Sequence, residues 1–255
     1  MVNGLDYFLS QLADFKDHFI LIGGTACDLW MGSLGLPFRA TKDLDIVLVA
    51  DTLPTTFFER FWAFIQEGRY QSLEQSETKP SLYRFKTPAD ARHPFMIELF
   101  ARNVLGVPEG FHLTPIPAGE DISSLSAILL GDDYFRYIVS SRITVGGVPT
   151  VPVQCLIPLK ARAHLDMVAR QQSGVPVDSH DVKKHRNDVF RLYRTLAPAD
   201  RFELPSPLKN DLAEFLNRLP HDSQDWTSIR AAVEGLPPTE SVLSQIRANF
   251  GIVGG

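Results

Sequence analysis

The sequence predicts an α+β fold, with a mixed β-sheet and flanking helices over residues 1–154 and a mainly helical C-terminal region over residues 155–255. Three observations carry this reading. Apolar runs of strand length, bounded by Gly, Pro and Asp, recur before Gln154. Beyond it, apolar residues recur at helical spacing with prolines between the segments. Near the start, one apolar run ends on Gly23-Gly24 and a second begins on two alternating aspartates, a strand, turn, helix, strand order.

Taken in order, Leu5, Phe8, Leu9, Leu12 and Phe15 recur at helical spacing and predict a first helix from Leu5 to Phe15, packed on the sheet. Phe19 to Ile22 is a strand-length run stopped by the paired glycines. Thr25 to Met31 follows as helix, and Gly35-Leu36-Pro37 breaks it. Asp43-Leu44-Asp45 then leads into Ile46 to Val49. Thr55 or Thr56 is placed to cap a helix through Ile65, whose Phe57, Phe58, Phe61, Trp62 and Ile65 form an apolar stripe. Ser81 to Thr87 and Phe95 to Phe100 read as two further strands, the second carrying one acid, Glu98, between large apolar residues.

Prolines and glycines from Gly106 to Asp121 mark a long connection; Ser123 to Leu130 then reads as strand and Asp132 to Ser141 as helix. Gly146-Gly147, within Thr144 to Gln154, predicts a hairpin. Pro158 is placed to open a helix from Leu159 to Arg170, a second helix runs from His180 or Asp181 to Leu196, and prolines 205, 207, 220, 237 and 238 divide the remainder into further helices.

With 255 residues, 44% of them hydrophobic, the chain has material for one large or two modest domains. Cys27 and Cys155 lie far apart in apolar surroundings and read as buried free thiols, which suits a reducing cytoplasm. The first residues carry acids and no long apolar core, unlike a secretory leader, and no later run has the length of a membrane span. A net charge of −5 excludes a generally basic nucleic-acid coat. Basic residues nevertheless gather between Leu156 and Arg194. There Lys160, Arg162, Arg170, Lys183, Lys184, Arg186, Arg191 and Arg194 stand against Asp166, Asp178, Asp181 and Asp188, a concentration that an anionic ligand could use. His164, His180 and His185 lack metal-ligand spacing and read as surface or helix-terminal residues.

The chemistry concentrates around the paired glycines and the acids. Glycines between a strand and a helix let the backbone approach a ligand, and the first amides of the helix suit phosphate. Because strand side chains alternate, Asp43 and Asp45 share one face, with Leu44 and Ile46 on the other. Two carboxylates on one face repel unless a cation lies between them, and Mg²⁺, a hard ion that shares its shell with substrate phosphates, fills that role. Either feature alone is most often a plain turn or a solvated strand end. Their order and spacing give them meaning, and neither the dinucleotide fingerprint nor a P-loop is present. Glu98, on a strand able to lie beside that of Asp43, would complete a metal-binding triad.

Gly-Gly-Thr at 23–25, Thr-Lys-Asp-Leu-Asp at 41–45, Ile-Glu-Leu at 97–99, Pro-Leu-Lys-Ala-Arg-Ala at 158–163 and Lys-Lys-His-Arg-Asn-Asp-Val at 183–189 resemble, in that order, the nucleotidyltransferases of the AbiEii/AbiGii toxin group in the DNA polymerase beta superfamily. The resemblance implies a nucleotidyltransferase-type sheet domain that holds two Mg²⁺ ions, or Mn²⁺, between three carboxylates and a nucleoside triphosphate, and a helical domain that closes the cleft. Carried onto this chain, it makes Asp43, Asp45 and Glu98 the metal ligands, with Glu98 also assisting deprotonation of the acceptor hydroxyl. Gly23, Gly24 and Thr25 would hold the β- and γ-phosphates, and Lys42 would contact the substrate. Lys160 would neutralise triphosphate charge. Lys184 and Asp188 match a fourth motif, in which the aspartate orients the lysine or the base and sugar. Asn187 departs from the pattern, since many members carry lysine there. The implied partners are a nucleoside triphosphate, an RNA acceptor such as tRNA and an antitoxin. Transfer to a small molecule, as in antibiotic-modifying relatives, and a non-catalytic nucleotide-binding module are the alternatives.

Overall fold

Alternation along residues 43–48 decides the architecture: Leu44, Ile46 and Leu48 commit one side of a sheet to a core, which leaves Asp43 and Asp45 on the other. The computed structural model describes residues 2–49, 53–72, 81–101 and 132–252. The chain is a mixed α+β protein, as the patterning predicts. It divides into two compact units, residues 1–130 with 138–152, and residues 131–137 with 153–255.

The first unit opens with α1 (Leu5–Gln11) and a 3₁₀ segment (Ala13–His18), followed by β1 (Phe19–Ile22), α2 (Gly23–Ser33), β2 (Asp43–Leu48), α3 (Thr55–Gly68), β3 (Gln71–Ser72), β4 (Ser81–Lys86) and β5 (Met96–Ala101). These strands form one sheet in the order β1-β2-β5-β4-β3, in which β2 and β5 run parallel and the other neighbours antiparallel. α4 (Asp132–Ser140) is divided between the units, and the hairpin β6 (Ile143–Val145) and β7 (Val148–Thr150) returns to the first, where Thr150 Oγ1 donates to the Leu21 carbonyl at 2.9 Å.

The core of this unit lies on the leucine side of the sheet, where Leu21, Leu44, Ile46, Phe85, Ile97 and Leu99 meet Leu5 and Phe8 of α1 and Phe57, Phe61, Phe64 and Ile65 of α3. The first helix is shorter than its apolar spacing predicts. It ends at Gln11, and the chain tightens into the 3₁₀ segment with Phe15 outside helical geometry at φ −116°. α3 is longer than predicted, because Phe61, Trp62, Phe64 and Ile65 are all buried through its last turns; it ends where Arg69 turns left-handed.

The second unit holds α5 (Val153–Gln172), α6 (Ser179–Tyr193), α7 (Ser206–Asn217), α8 (Asp225–Ala232) and α9 (Thr239–Asn249). Pro158 does not open α5. It stands inside a helix that begins at Val153, and the loss of its N–H, a cost of about 3 kcal/mol, is offset by burial of Cys155, Leu156, Ile157 and Leu159 around it. α6 starts where Asp178 caps it, accepting from the His180 amide at 2.8 Å. Pro207 lies in the first turn of α7 instead of separating helices. Cys27 and Cys155 are buried free thiols, and burial pushes the Cys155 thiol well above its ordinary range. Among the described residues no helix is long and apolar enough to cross a membrane. The connection read at Gly106 to Asp121 and the strand read at Ser123 to Leu130 lie outside the described residues.

Candidate active site

Strand pairing sets the geometry of the acids. In the parallel β2–β5 ladder Asp45 is the partner of Glu98, and Asp43 is the partner of Met96. The β4–β5 ladder places Arg84 opposite Glu98 and Lys86 opposite Met96, while Ile22 of β1 stands opposite Asp45. Paired residues on neighbouring strands share a face. One row across the sheet therefore reads Ile22, Asp45, Glu98, Arg84, and the next reads Asp43, Met96, Lys86. All three predicted carboxylates lie on adjacent strands of one face.

Two neighbouring buried carboxylates are costly without a compensating charge. Glu98, 2% exposed, has one: Arg84 Nε donates to its Oε1 at 2.6 Å, and Nη2 of the same guanidinium is also 2.6 Å away. Arg84 is a site residue that the motif reading missed. Its signal was the alternation Arg84-Phe85-Lys86, which places two basic side chains on the face opposite buried Phe85.

The glycines act through space rather than flexibility alone. Gly23 begins α2 at φ +68°, and a Cβ there would fall 1.8 Å from Oδ2 of Asp45. At Gly24 a Cβ would meet Thr41 Oγ1 at 2.5 Å. Ile22, at the N-cap, provides no side-chain acceptor for the first-turn amides of α2, a helix start suited to an anion. Thr25 is buried, and its hydroxyl donates to the main-chain carbonyl of Asp43 at 2.7 Å, so it ties α2 to the acidic strand. Lys42 is exposed, with Nζ 5.8 Å from the ring centroid of Phe95, which is itself 50% exposed.

The other predicted residues belong to the second unit. Lys160 of α5 is 2% exposed, and its Nζ stands 3.2 Å from Oδ2 of fully buried Asp188 on α6. The other oxygen of Asp188 accepts from Arg191 at 3.0 Å, so Asp188 is fixed at both ends; Arg191 is a second residue the motifs did not flag. Lys184 pairs with Asp181 at 2.9 Å. Much of the basic concentration between 156 and 194 is thus consumed internally, since Arg162 also pairs with Asp211 and Arg186 with Asp225. His180 is exposed at the start of α6, but His164 and His185 are buried, contrary to the sequence reading, because the surrounding helices cover α5 and α6 there. Burial holds the His164 imidazole below its ordinary pKa, although its hydrogen bond with the Val182 carbonyl opposes the shift.

Carboxylate oxygens are the donors a hard divalent cation takes. Asp43 and Asp45 place carboxylates on one face, and the missing Cβ of Gly23 lets the Asp45 carboxylate lie against the start of α2. Among the described residues no three His, Cys, Asp or Glu side chains are gathered at metal-holding spacing, and Oε1 of Glu98 is held by Arg84.

A mixed sheet with an Asp-x-Asp strand, a glutamate in register on the parallel neighbour and a glycine-led helix start describes a nucleotidyltransferase. The chain belongs to the AbiEii family: the profile described as "Nucleotidyl transferase AbiEii toxin, Type IV TA system" matches residues 7–246. No curated protein sequence matches it. Among solved structures, the chain is similar to an antigenic nucleotidyltransferase-like protein from Paracoccidioides brasiliensis, at 17% identity and TM-score 0.40 over 90% of this chain and 93% of that one. It is also similar to the antibiotic-resistance factor ANT(2'')-Ia, at 13% identity and TM-score 0.39 over 84% of this chain and 90% of that one.

Proposed function

We propose that the protein is a metal-dependent nucleotidyltransferase that moves a nucleoside monophosphate from a nucleoside triphosphate to a hydroxyl of RNA, working in the cytoplasm as the toxin of a pair with an antitoxin. The observation that carries the reading is the register of Asp45 with Glu98, with Asp43 two residues earlier on the same face. Asp43 and Asp45 would hold Mg²⁺ or Mn²⁺, with Glu98 as third ligand; bound metal would stabilise both the entering and leaving oxygens of an in-line displacement. The acceptor oxygen forms a bond to the α-phosphorus, the bond from that phosphorus to the β-phosphate oxygen breaks, and pyrophosphate leaves. The hydroxyl proton passes to a base, the part assigned to Glu98.

The start of α2 at Gly23 and Gly24 would receive the β- and γ-phosphates. Lys160 would neutralise triphosphate charge, and its contact with Asp188 supports an orienting role for that aspartate. Lys184, already paired with Asp181, would be a weaker phosphate contact. For the acceptor, the toxin description of the family and the exposed Lys42–Phe95 pair beside Asp43 support a nucleic acid, since an aromatic ring and a cation together suit bases and phosphates. The internal pairing of the 156–194 cations favours the second reading, a small hydroxyl compound.

The test is incubation of the full chain with Mg²⁺ and each α-labelled nucleoside triphosphate, in the presence of total cellular RNA or of a panel of small hydroxyl compounds. Label should enter RNA and disappear in Asp45→Asn, whose circular dichroism and unfolding midpoint should match those of the wild type. Label confined to the small compounds would overturn the RNA assignment.

A further inference from the structure

The start of α2 reaches the acids from the β1 side, where Gly23 lies against Asp45. On their other side the sheet continues through β5 and β4 to β3, and the same face carries Arg84 and Lys86. These two cations differ. Arg84 is held by Glu98, whereas Lys86, half-buried, takes no hydrogen-bond or ion-pair partner for its side chain among the described residues. Its row reads Asp43, Met96, Lys86, Gln71, which puts its backbone two strand spacings, about 10 Å, from that of Asp43, with Met96 between them and exposed Gln71 beyond. The end of β4 is pinned, because the Thr87 amide donates to the Phe95 carbonyl at 3.0 Å and the Tyr70 hydroxyl to the Pro94 carbonyl at 2.7 Å. Partial burial of an unpaired ammonium costs free energy, and an anion bound beside it would return that cost.

In an in-line displacement the entering oxygen comes from the side opposite the leaving one. With pyrophosphate leaving at the start of α2, the acceptor would enter over β5, and the part of it next to the reacting hydroxyl would lie towards Lys86 and Gln71. We propose that Lys86 is the acceptor-binding cation of the site. Its ammonium binds the phosphate adjoining the hydroxyl under attack, so the acceptor is the end of a polynucleotide strand, where a phosphodiester adjoins the terminal nucleotide. A cationic small compound is repelled from the same place. Lys86 makes and breaks no bond; it positions the hydroxyl. This inference rests on the nucleotidyl-transfer reading above and deepens it on the acceptor side.

The probe is a random pool of short single-stranded oligoribonucleotides, made either with natural linkages or with a neutral methylphosphonate at the linkage next to the 3′-terminal nucleotide. With the full chain, Mg²⁺ and an α-labelled triphosphate, the neutral linkage should raise the wild-type KM for the pool by about tenfold. Lys86→Met should raise KM for the natural pool by about as much, leave KM for the triphosphate within about twofold, and no longer distinguish the two pools. Lys86→Arg should keep the distinction. Binding of the natural pool without metal or nucleotide, followed by fluorescence anisotropy, should show a salt slope smaller by about 0.7 in Lys86→Met than in the wild type. Equal wild-type KM values for the two pools overturn the proposal, an arm that needs no variant to fold. So does a folded Lys86→Met protein that still distinguishes the pools, or one in which only KM for the triphosphate rises. Label confined to small hydroxyl compounds overturns the proposal while nucleotidyl transfer stands. Absence of transfer by the wild type to either pool, to total RNA and to small hydroxyl compounds overturns that reading itself and this proposal with it.

Discussion

A side chain at Gly23 would occupy the place of the Asp45 carboxylate: its Cβ would stand 1.8 Å from Oδ2 and 2.7 Å from Cγ. The glycine also sits at φ +68°, where an L side chain is strained whatever space surrounds it. Asp45 is 6% exposed and flanked by Ile22 and Glu98, so it cannot swing aside without disturbing its row. Gly23→Ala should therefore destabilise the protein by about 1–3 kcal/mol and abolish nucleotide transfer even in the folded fraction. Urea denaturation, with transfer assayed at a temperature where the variant is folded, checks both parts; wild-type activity in Gly23→Ala would refute the contact's importance.

Thr25 offers a sharper division between two roles. Its hydroxyl proton goes to the Asp43 carbonyl at 2.7 Å, which makes the side chain a tie between α2 and β2. If that tie is its work, Thr25→Val removes the donor to that carbonyl and costs about 1–3 kcal/mol, while Thr25→Ser restores most of the loss. If the hydroxyl serves the phosphates instead, Thr25→Val leaves stability unchanged and raises KM for the triphosphate. The expected result is the first, read as a lowered unfolding midpoint with serine rescue.

Local patterning made the acids legible, whereas pairing between strands concealed their partners. The alternation Asp43-Leu44-Asp45-Ile46 fixes which residues share a face, and Leu44 and Ile46 do enter the core. Glu98 could be placed on a strand able to lie beside them because Met96 to Phe100 is strand-like by itself. The alternation of Arg84 and Lys86 about Phe85 marks a basic face, but the pairing of Arg84 with Glu98 comes from the β4–β5 register, a relation between residues 14 apart that no local pattern encodes. The burial of His164 and His185 was hidden for a similar reason: a polar residue on a helix reads as exposed until the helices that cover it are known. Pro158 misled in the opposite direction. Proline usually marks a helix start, but here apolar packing on both sides outweighed its cost.

His164 should make stability depend on acidity. Burial lowers its pKa below the ordinary value near 6.5, outweighing the bond in which Nδ1–H donates to the Val182 carbonyl, and its ring packs edge-on against Phe215. Around it, Arg186 and Arg218 also disfavour the charged form, while Asp225 favours it. The unfolded chain therefore binds the proton at a higher pH than the folded chain. His164's share of stability is present above about pH 6.5 and is lost as the pH falls below it. The urea midpoint should drop between pH 7.5 and 5.5, and the drop should shrink in His164→Gln. An identical pH dependence in that variant would assign the effect elsewhere.

The Lys160–Asp188 contact makes an asymmetric prediction. Both side chains are buried, but their remaining partners differ, because Asp188 keeps Arg191 when Lys160 is removed. Asp188→Asn deprives a buried ammonium of the paired carboxylate charge and should cost about 3–5 kcal/mol. Lys160→Met, which preserves most of the stem, should cost only about 1–3 kcal/mol. If Lys160 also acts on the departing pyrophosphate, its charge matters most in the transition state, so Lys160→Met should lower kcat by far more than it raises KM for the triphosphate. Measured at a temperature well below the unfolding midpoint of each variant, that split separates the two roles. A lysine that serves only the fold would give a kcat near the wild-type value once the folded fraction is taken into account, because the missing charge would then have no counterpart in the transition state.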